Sequence, residues 1–300
     1  MIVEKSKHLS EYFKYLDNPF QALKFKFGFS DIVIIKIKKK YEIELKNIFS
    51  LDILMNSLPN VNEENLDEFL RYIKNIDDNE KYLNIHDIRF YNIYNSEFIE
   101  KYGTDIYCHL NEFFTDDALT ILDYSNRHVI DVGGNIGDTP LFFAKSGAKV
   151  ISFEPVKHLH DIAIENIKLN KDLEEKITLV NKGIGGKRGI LNIDSPSISQ
   201  YIRKDTYQME VITIDDLIKN YDFTPDILKM DCEGCEYEII LNNDLTMFND
   251  ILFEHHQSIV NKDHTLLIQE LKKQGFNIKL YDSIGVDCDF ELQGMIHAYK

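Results

Sequence analysis

Tryptophan is absent from this chain of 300 residues, cysteine occurs only four times, and 34 Lys and Arg are outnumbered by 50 Asp and Glu. Most of these shortages exclude something. Four cysteines, Cys108, Cys232, Cys235 and Cys288, are too sparse for a disulfide scaffold at this length. The formal net charge of −16 sets the average surface against nucleic-acid backbones and anionic lipid headgroups. A nucleic-acid role would need a local basic patch. The densest basic run, Lys36-Ile37-Lys38-Lys39-Lys40, alternates like the solvated edge of a sheet. Long apolar runs are missing too, since none reaches the roughly 20 residues that span a bilayer. Met1 to Lys7 lacks the apolar core of a secretion signal. A soluble cytoplasmic chain with no membrane partner is the expectation. The missing tryptophan accompanies a bias toward Lys, Ile and Asn and excludes no function.

What is present is a strand, a glycine turn and a helix start in immediate succession. Val129-Ile130-Asp131-Val132 reads as a buried strand, Gly133-Gly134-Asn135-Ile136-Gly137 as the turn, and Asp138-Thr139 as helix caps, with Pro140 tolerated in the first turn. Glycines there let the backbone bend sharply and approach a ligand closely. A second apolar strand, Lys149 to Phe153, ends on Glu154, 21 residues after Gly133, where an acid can accept hydrogen bonds from a ribose diol. A dinucleotide site prefers G-x-G-x-x-G. Glycines at 133, 134 and 137 fit S-adenosylmethionine better, with its amino-acid end against the turn, Glu154 on the ribose, and Asp131 near the cofactor's cationic groups.

From about Asn126 onward strands and helices alternate, the pattern of a parallel sheet covered on both faces. Strands are expected at 128–133, 149–154, 177–182, 226–231 and 250–255, and helices at 138–146, 156–170, 215–221 (capped by Asp215), 235–241 and 262–274. Strands at 276–281 and 292–299 would close as an antiparallel hairpin. Between 189–193 and 210–213, two short strands, the polar loop 194–206 is a candidate flap. Gly183-Ile184-Gly185-Gly186 forms a tight turn after the third strand, and Gly183 and Ile184 are placed with the cofactor residues. Residues 1–110 read as an appended α+β subdomain that covers the cofactor domain, 111–300. That subdomain is expected to hold a helix over 9–16, strands at 22–28 and 32–38 turning near Gly28, and polar helices within 62–76.

Two further groups carry chemistry. In an open parallel sheet, ligands bind beyond the carboxyl ends of the strands. Asp231 and Glu233 end one strand and could orient a hydroxyl, take its proton or bind a metal. Glu236 reads as a first-turn acid complementing the helix dipole. In Glu254-His255-His256, alternation puts Glu254 and His256 on one face, and His256 could act as a base or sit as a structural histidine. Cys232 and Cys235 have C-x-x-C spacing, but no second Cys or His pair completes a tetrahedral set. A structural role is expected for them, and no metal ligand is assigned.

Asp131-Val132-Gly133-Gly134-Asn135-Ile136-Gly137, Phe153-Glu154-Pro155, Thr213-Ile214-Asp215-Asp216-Leu217, Lys229-Met230-Asp231-Cys232-Glu233-Gly234-Cys235-Glu236 and Glu254-His255-His256 together resemble the FkbM family of S-adenosylmethionine-dependent methyltransferases. Order and spacing match over about residues 105 to 300. The resemblance implies the Rossmann-like, mostly parallel seven-stranded class I methyltransferase fold and methylation of a hydroxyl on a sugar or small metabolite. Gly134 stands where the family often has alanine, a change the turn should tolerate. Cys232 and Cys235 replace small apolar residues, which favours packing over metal binding. Deprotonation of the acceptor falls to Asp231, Glu233 or His256, with Asp231 ranked first.

Three other readings compete. Phe153-Glu154-Pro155 and Ile164 to Asn170 also resemble parts of the tRNA guanine methyltransferases, but Asp231-Cys232-Glu233-Gly234 stands where those enzymes carry an Asn/Asp-Pro-Pro or Asn-Leu-Pro signature. The glycine spacing discriminates against a nicotinamide-dependent oxidoreductase. A non-catalytic module would keep the cofactor only as a stabiliser.

Overall fold

The computed structural model describes residues 2–102, 110, 118–194, 206–221, 224–281 and 294–300. They fall into two compact units, one of residues up to 102 with Leu110 and the other from residue 118 onward. The core of the 194–206 loop, the link before 294 in the expected terminal hairpin, Cys108 and Cys288 lie outside the described residues.

In the first unit, helices α1 (Ile2–Tyr15) and α2 (Pro19–Lys26) precede the antiparallel hairpin of β1 (Val33–Ile37) and β2 (Tyr41–Leu45). The strand expected at 22–28 is therefore wrong. Pro19 is tolerated in a first helical turn, and Ala22 and Phe25, three residues apart, are the buried pair of α2. The hairpin turns instead at Lys38 and Lys39, both at positive φ (52° and 55°). The lysine run is thus half strand and half turn. Besides β2, the sequence reading had no counterpart for α3 (Ile48–Ser57), which Asn47 caps by accepting the Phe49 N–H, for the hairpin of β3 (Tyr82–Ile85) with β4 (Ile88–Tyr91), or for the helix that follows it. Between them α4 (Leu66–Asp77) buries Phe69, Leu70, Ile73 and Ile76, and α5 (Ser96–Tyr102) follows.

The second unit is a seven-stranded sheet. Its strands are β5 (His128–Val132), β6 (Lys149–Phe153), β7 (Ile177–Val180), β11 (Ile227–Met230), β12 (Asp250–Glu254), β13 (Asn277–Tyr281) and β14 (Met295–Tyr299). Their spatial order is β13-β14-β12-β11-β5-β6-β7, parallel except that β14 runs antiparallel between β12 and β13. β11 is buried along its whole length, and β5 and β6 at all but their first residue. This is why they read as apolar runs rather than alternations. Helices α6 (Asp138–Lys145), α7 (Lys157–Leu169) and α8 (Lys171–Glu174) follow the first strands. A small sheet then intervenes, with β10 (Thr206–Ile212) between β8 (Gly183–Ile184) and β9 (Gly189–Asp194).

Helix α9 (Ile214–Asn220) is capped by Thr213, not by Asp215. The Thr213 hydroxyl accepts the Asp216 N–H and the Asp216 carboxylate accepts the Thr213 N–H, a reciprocal box that the T-x-x-D spacing permits. Helix α10 (Cys235–Asn242) follows β11, while α11 (Gln257–Val260) and α12 (Thr265–Lys273) share the span after β12. Among the described residues no helix is long and apolar enough to cross a membrane.

Candidate active site

The glycine turn leaves β5 at Gly133. Gly133, Asn135 and Gly137 all have positive φ (92°, 44° and 89°). The Gly133 and Gly134 N–H groups both donate to the Phe153 carbonyl, at 3.0 and 3.1 Å, so the turn hangs from the end of β6. A Cβ on Gly133 would stand 1.8 Å from the Asp231 carbonyl oxygen. The close approach that demands glycine here is therefore to the neighbouring strand end. Gly134 is equally constrained, since a Cβ there would come 2.2 Å from Ser152 Oγ. That hydroxyl is held by a 2.7 Å bond to Asp131. The expectation that alanine is tolerated at 134 fails, because in this chain Ser152 occupies the space the methyl would need.

Asp131 does not wait for a cationic ligand. Its carboxylate is fully buried and accepts hydrogen bonds from Thr139 Oγ1 (2.9 Å) and Ser152 Oγ (2.7 Å), with Lys229 Nζ 3.3 Å from its other oxygen. Lys229 also donates to the Gly133 carbonyl at 3.3 Å. Burial works against the ammonium, but Asp131, Asp231 and Asp138 more than offset it and hold Lys229 above the usual lysine range. Sequence reasoning missed Lys229 and Ser152. A signal existed, because a lysine inside a wholly apolar parallel strand needs an opposite charge, and the register sets Lys229 against Asp131.

The helix after the turn begins with Gly137 in the capping position and makes no side-chain cap, so Asp138 and Thr139 do not cap it. Instead Asp138 Oδ1 and Asn135 Oδ1 are buried acceptors with no hydrogen-bond partner. Desolvation, with Asp131 and Asp231 nearby, pushes the Asp138 carboxyl up to about 6 against the pull of Lys229. Glu154 lies just past β6, 5% exposed, and accepts the N–H groups of Asn135 (2.9 Å) and Val156 (2.8 Å). Its burial still outweighs those two donors and raises it to about 8. Asn181 fastens the same corner by donating to the Glu154 and Pro155 carbonyls. Gly183 and Ile184 are buried in β8, paired with Val211 and Ile212.

A second cluster forms at the carboxyl ends of β11 and β12. Asp231 and Glu233 have half-exposed side chains, and Glu233 and Gly234 take successive positive φ values of 56° and 107°. Cys232 and Cys235 are joined as a disulfide with Cα atoms 5.4 Å apart, a covalent staple that also packs against the hydrophobic core, in keeping with the structural role expected of the pair. Glu236 does stand in the first turn of α10, as expected of an acid complementing the helix dipole, but it has further partners. It is fully buried, with one oxygen accepting the His256 N–H (2.8 Å) and facing Nδ1 (3.1 Å), and the other accepting the Gly234 N–H (3.0 Å). The opposite nitrogen, His256 Nε2, points between Asp231 Oδ1 at 3.8 Å and Glu233 Oε2 at 3.7 Å.

Burial lowers the His256 pKa, but Glu236, Asp231 and Glu233 dominate and raise it to about 9. With only these partners the ring is a cation at neutral pH, which removes it as the base. His255 goes the other way, stacked 4.8 Å from His264 and pushed by burial and those two histidines down to about 4.

The strand order, with one antiparallel strand inserted between the last two parallel ones, and the glycine turn at the end of β5 define a class I methyltransferase fold. Residues 131–278, all within the second unit, match the family model described as the methyltransferase FkbM domain. No curated protein matches the chain. Among solved structures, methyltransferase FkbM from Methylobacillus flagellatus KT is 14% identical with a TM-score of 0.45, over 84% of this chain and 59% of that one. The chain thus spans less than two thirds of that protein. Precorrin-6y C5,15-methyltransferase from Geobacter metallireducens GS-15 is 13% identical with a TM-score of 0.38, over 61% of this chain and 86% of that one. TrmK of M. capricolum, solved with S-adenosyl-homocysteine, is 14% identical with a TM-score of 0.40, over 61% and 66%.

Proposed function

We propose that the second unit is an S-adenosylmethionine-dependent O-methyltransferase whose acceptor is a hydroxyl on a sugar or another small metabolite. The observation that carries the cofactor assignment is a surplus of buried acceptors at one strand end. Asn135 Oδ1 and Asp138 Oδ1 lack donors, and the Glu154 carboxyl is raised to about 8 by desolvation. The cofactor is rich in what they lack: an ammonium, a ribose diol and an adenine amine. These residues therefore fit it, with Glu154 on the ribose and Asn135 and Asp138 taking further donors. Bound there, it supplies a methyl group on a sulfonium centre.

The chain's own part is positioning and proton handling. Most of the acceleration would come from holding an acceptor oxygen roughly 3 Å from the methyl carbon in a dry pocket. Asp231, half exposed at the adjoining strand end, is the first choice to orient the hydroxyl and take its proton, with Glu233 second. Hydroxyl donors suit paired carboxylates. The net charge of −16 argues against RNA as the acceptor.

Calorimetry with Glu154→Ala tests the assignment. Affinity for S-adenosylmethionine should fall by at least about 100-fold, two to three kcal/mol for a lost pair of charge-assisted hydrogen bonds, while circular dichroism is retained. Unchanged affinity in the folded variant would remove Glu154 from the ribose.

A further inference from the structure

Beside the cofactor corner, Asp231, Glu254 and His256 converge. One ligating atom from each lies within 4.8 Å of the other two. Donors about 2.1 Å from a common ion stand about 3 Å apart at right angles and about 4.2 Å apart when opposite. Closing the set on an ion would therefore bring any pair of these atoms nearer by at most about 1.8 Å. The three come from the carboxyl ends of adjacent parallel strands, β11 and β12, whose backbones are held in register.

A second feature points to a ligand independently of the carboxylates. The His256 side chain is 90% buried (10% exposed), and its Nε2 makes no hydrogen bond: the Asp231 and Glu233 oxygens stand 3.8 and 3.7 Å away, too far for one. Its other nitrogen faces the fully buried Glu236 carboxylate at 3.1 Å, which also takes the His256 backbone N–H. A carboxylate on the far nitrogen of an imidazole is the usual outer support of a metal-binding histidine, because it fixes the ring's orientation and aims Nε2, whose proton an entering cation would displace. The disulfide removes Cys232 and Cys235 from competition as ligands.

We propose that Asp231, Glu254 and His256 bind a divalent transition-metal cation of the Mn2+ type, with Glu236 as the positioning residue for His256. An imidazole among the donors disfavours Mg2+ and Ca2+, and two carboxylates without a thiolate disfavour the soft metals. Three protein donors leave coordination positions open for an acceptor hydroxyl, whose pKa a bound cation lowers. That last role rests on the methyltransferase reading, whereas the cation site itself does not.

The test is a Mn2+ titration of the chelator-treated full chain, without cofactor, read by the loss of the free-ion electron paramagnetic resonance signal. One saturable site is expected. Asp231→Asn and His256→Gln should each weaken it by at least about tenfold, and Glu236→Gln by about 10- to 100-fold, as outer-shell losses do. The control Glu238→Gln, an exposed carboxylate on α10, should leave it unchanged. Absence of saturable binding, or binding indifferent to both Asp231→Asn and folded His256→Gln, overturns the site. A parallel S-adenosylmethionine titration separates the two ideas: Mn2+ binding without cofactor binding sinks only the methyltransferase reading, and the reverse sinks only the metal.

Discussion

At the end of β5 a carboxylate, Asp131, lies fully buried against a lysine that is 3% exposed; one strand over, Asp231 is 45% exposed and faces a histidine. Both aspartates stand at or beside the carboxyl end of a parallel strand, and both have a cationic neighbour. They differ in what surrounds them. Asp131 has one oxygen hydrogen-bonded by Thr139 and Ser152 and the other ion-paired with Lys229 at 3.3 Å, and these contacts tie the glycine turn to two strands. Asp231 stands 3.8 Å from its partner, outside hydrogen-bond range. A closed charge pair holds a backbone shape, whereas an open one is chemistry in waiting, and only the local hydrogen bonds distinguish them.

The largest expected effect breaks the closed pair. Lys229→Met leaves Asp131 buried without its counter-charge and should cost roughly 3–5 kcal/mol in urea unfolding. Glu233→Gln at the open cluster should stay within about 0.5 kcal/mol. Equal losses in the two variants would erase the distinction. Gly134→Ala comes next. Its methyl collides with Ser152 Oγ, for a loss of about 1–3 kcal/mol, and adding Ser152→Ala should recover most of it. Failure of the second substitution to help would show that the clash lies elsewhere.

The remaining expected effect concerns pH. Glu154 titrates near 8 in the folded unit against 4.5 for the ordinary side chain, so between these values the folded state binds more protons than the unfolded one. Stability without cofactor should therefore fall as pH rises from about 4.5 to about 8. Glu154→Gln should flatten that slope, and an unchanged slope would assign it to other groups.

Legibility followed burial pattern. The central parallel strands β5, β6, β11 and β12 read correctly because they are largely buried, and the elements around them are punctuated by glycine, as at Gly133, Gly137 and Gly275. In the first unit, Leu23, Phe25 and Phe27 alternate with Lys24 and Lys26 like a strand, yet α2 buries only Ala22 and Phe25, and Phe20 and Phe27 are exposed. Short segments whose apolar residues are partly surplus carry no decisive period. Among candidate site residues, Glu154, Asp231 and His256 could be singled out because each ends or just follows a strand. Lys229 carried a signal that went unread, a charge inside an apolar strand, whereas the partners of Ser152 and Glu236 could not be read, since they depend on which residue faces them across the sheet or from the next loop.

The bond between Cys232 and Cys235 adds a chemical consequence. A free cysteine beside an activated methyl is itself a methyl acceptor, and a thiolate outcompetes a hydroxyl as nucleophile. Cys232 adjoins Asp231 in the chain, and each sulfur contributes one electron to the S–S bond, so neither is a thiolate. With the proposed methyl donor bound, neither sulfur would compete in that form. Reduction would then place two competing nucleophiles beside the proposed acceptor site, making self-methylation a hazard that the oxidised chain would not face.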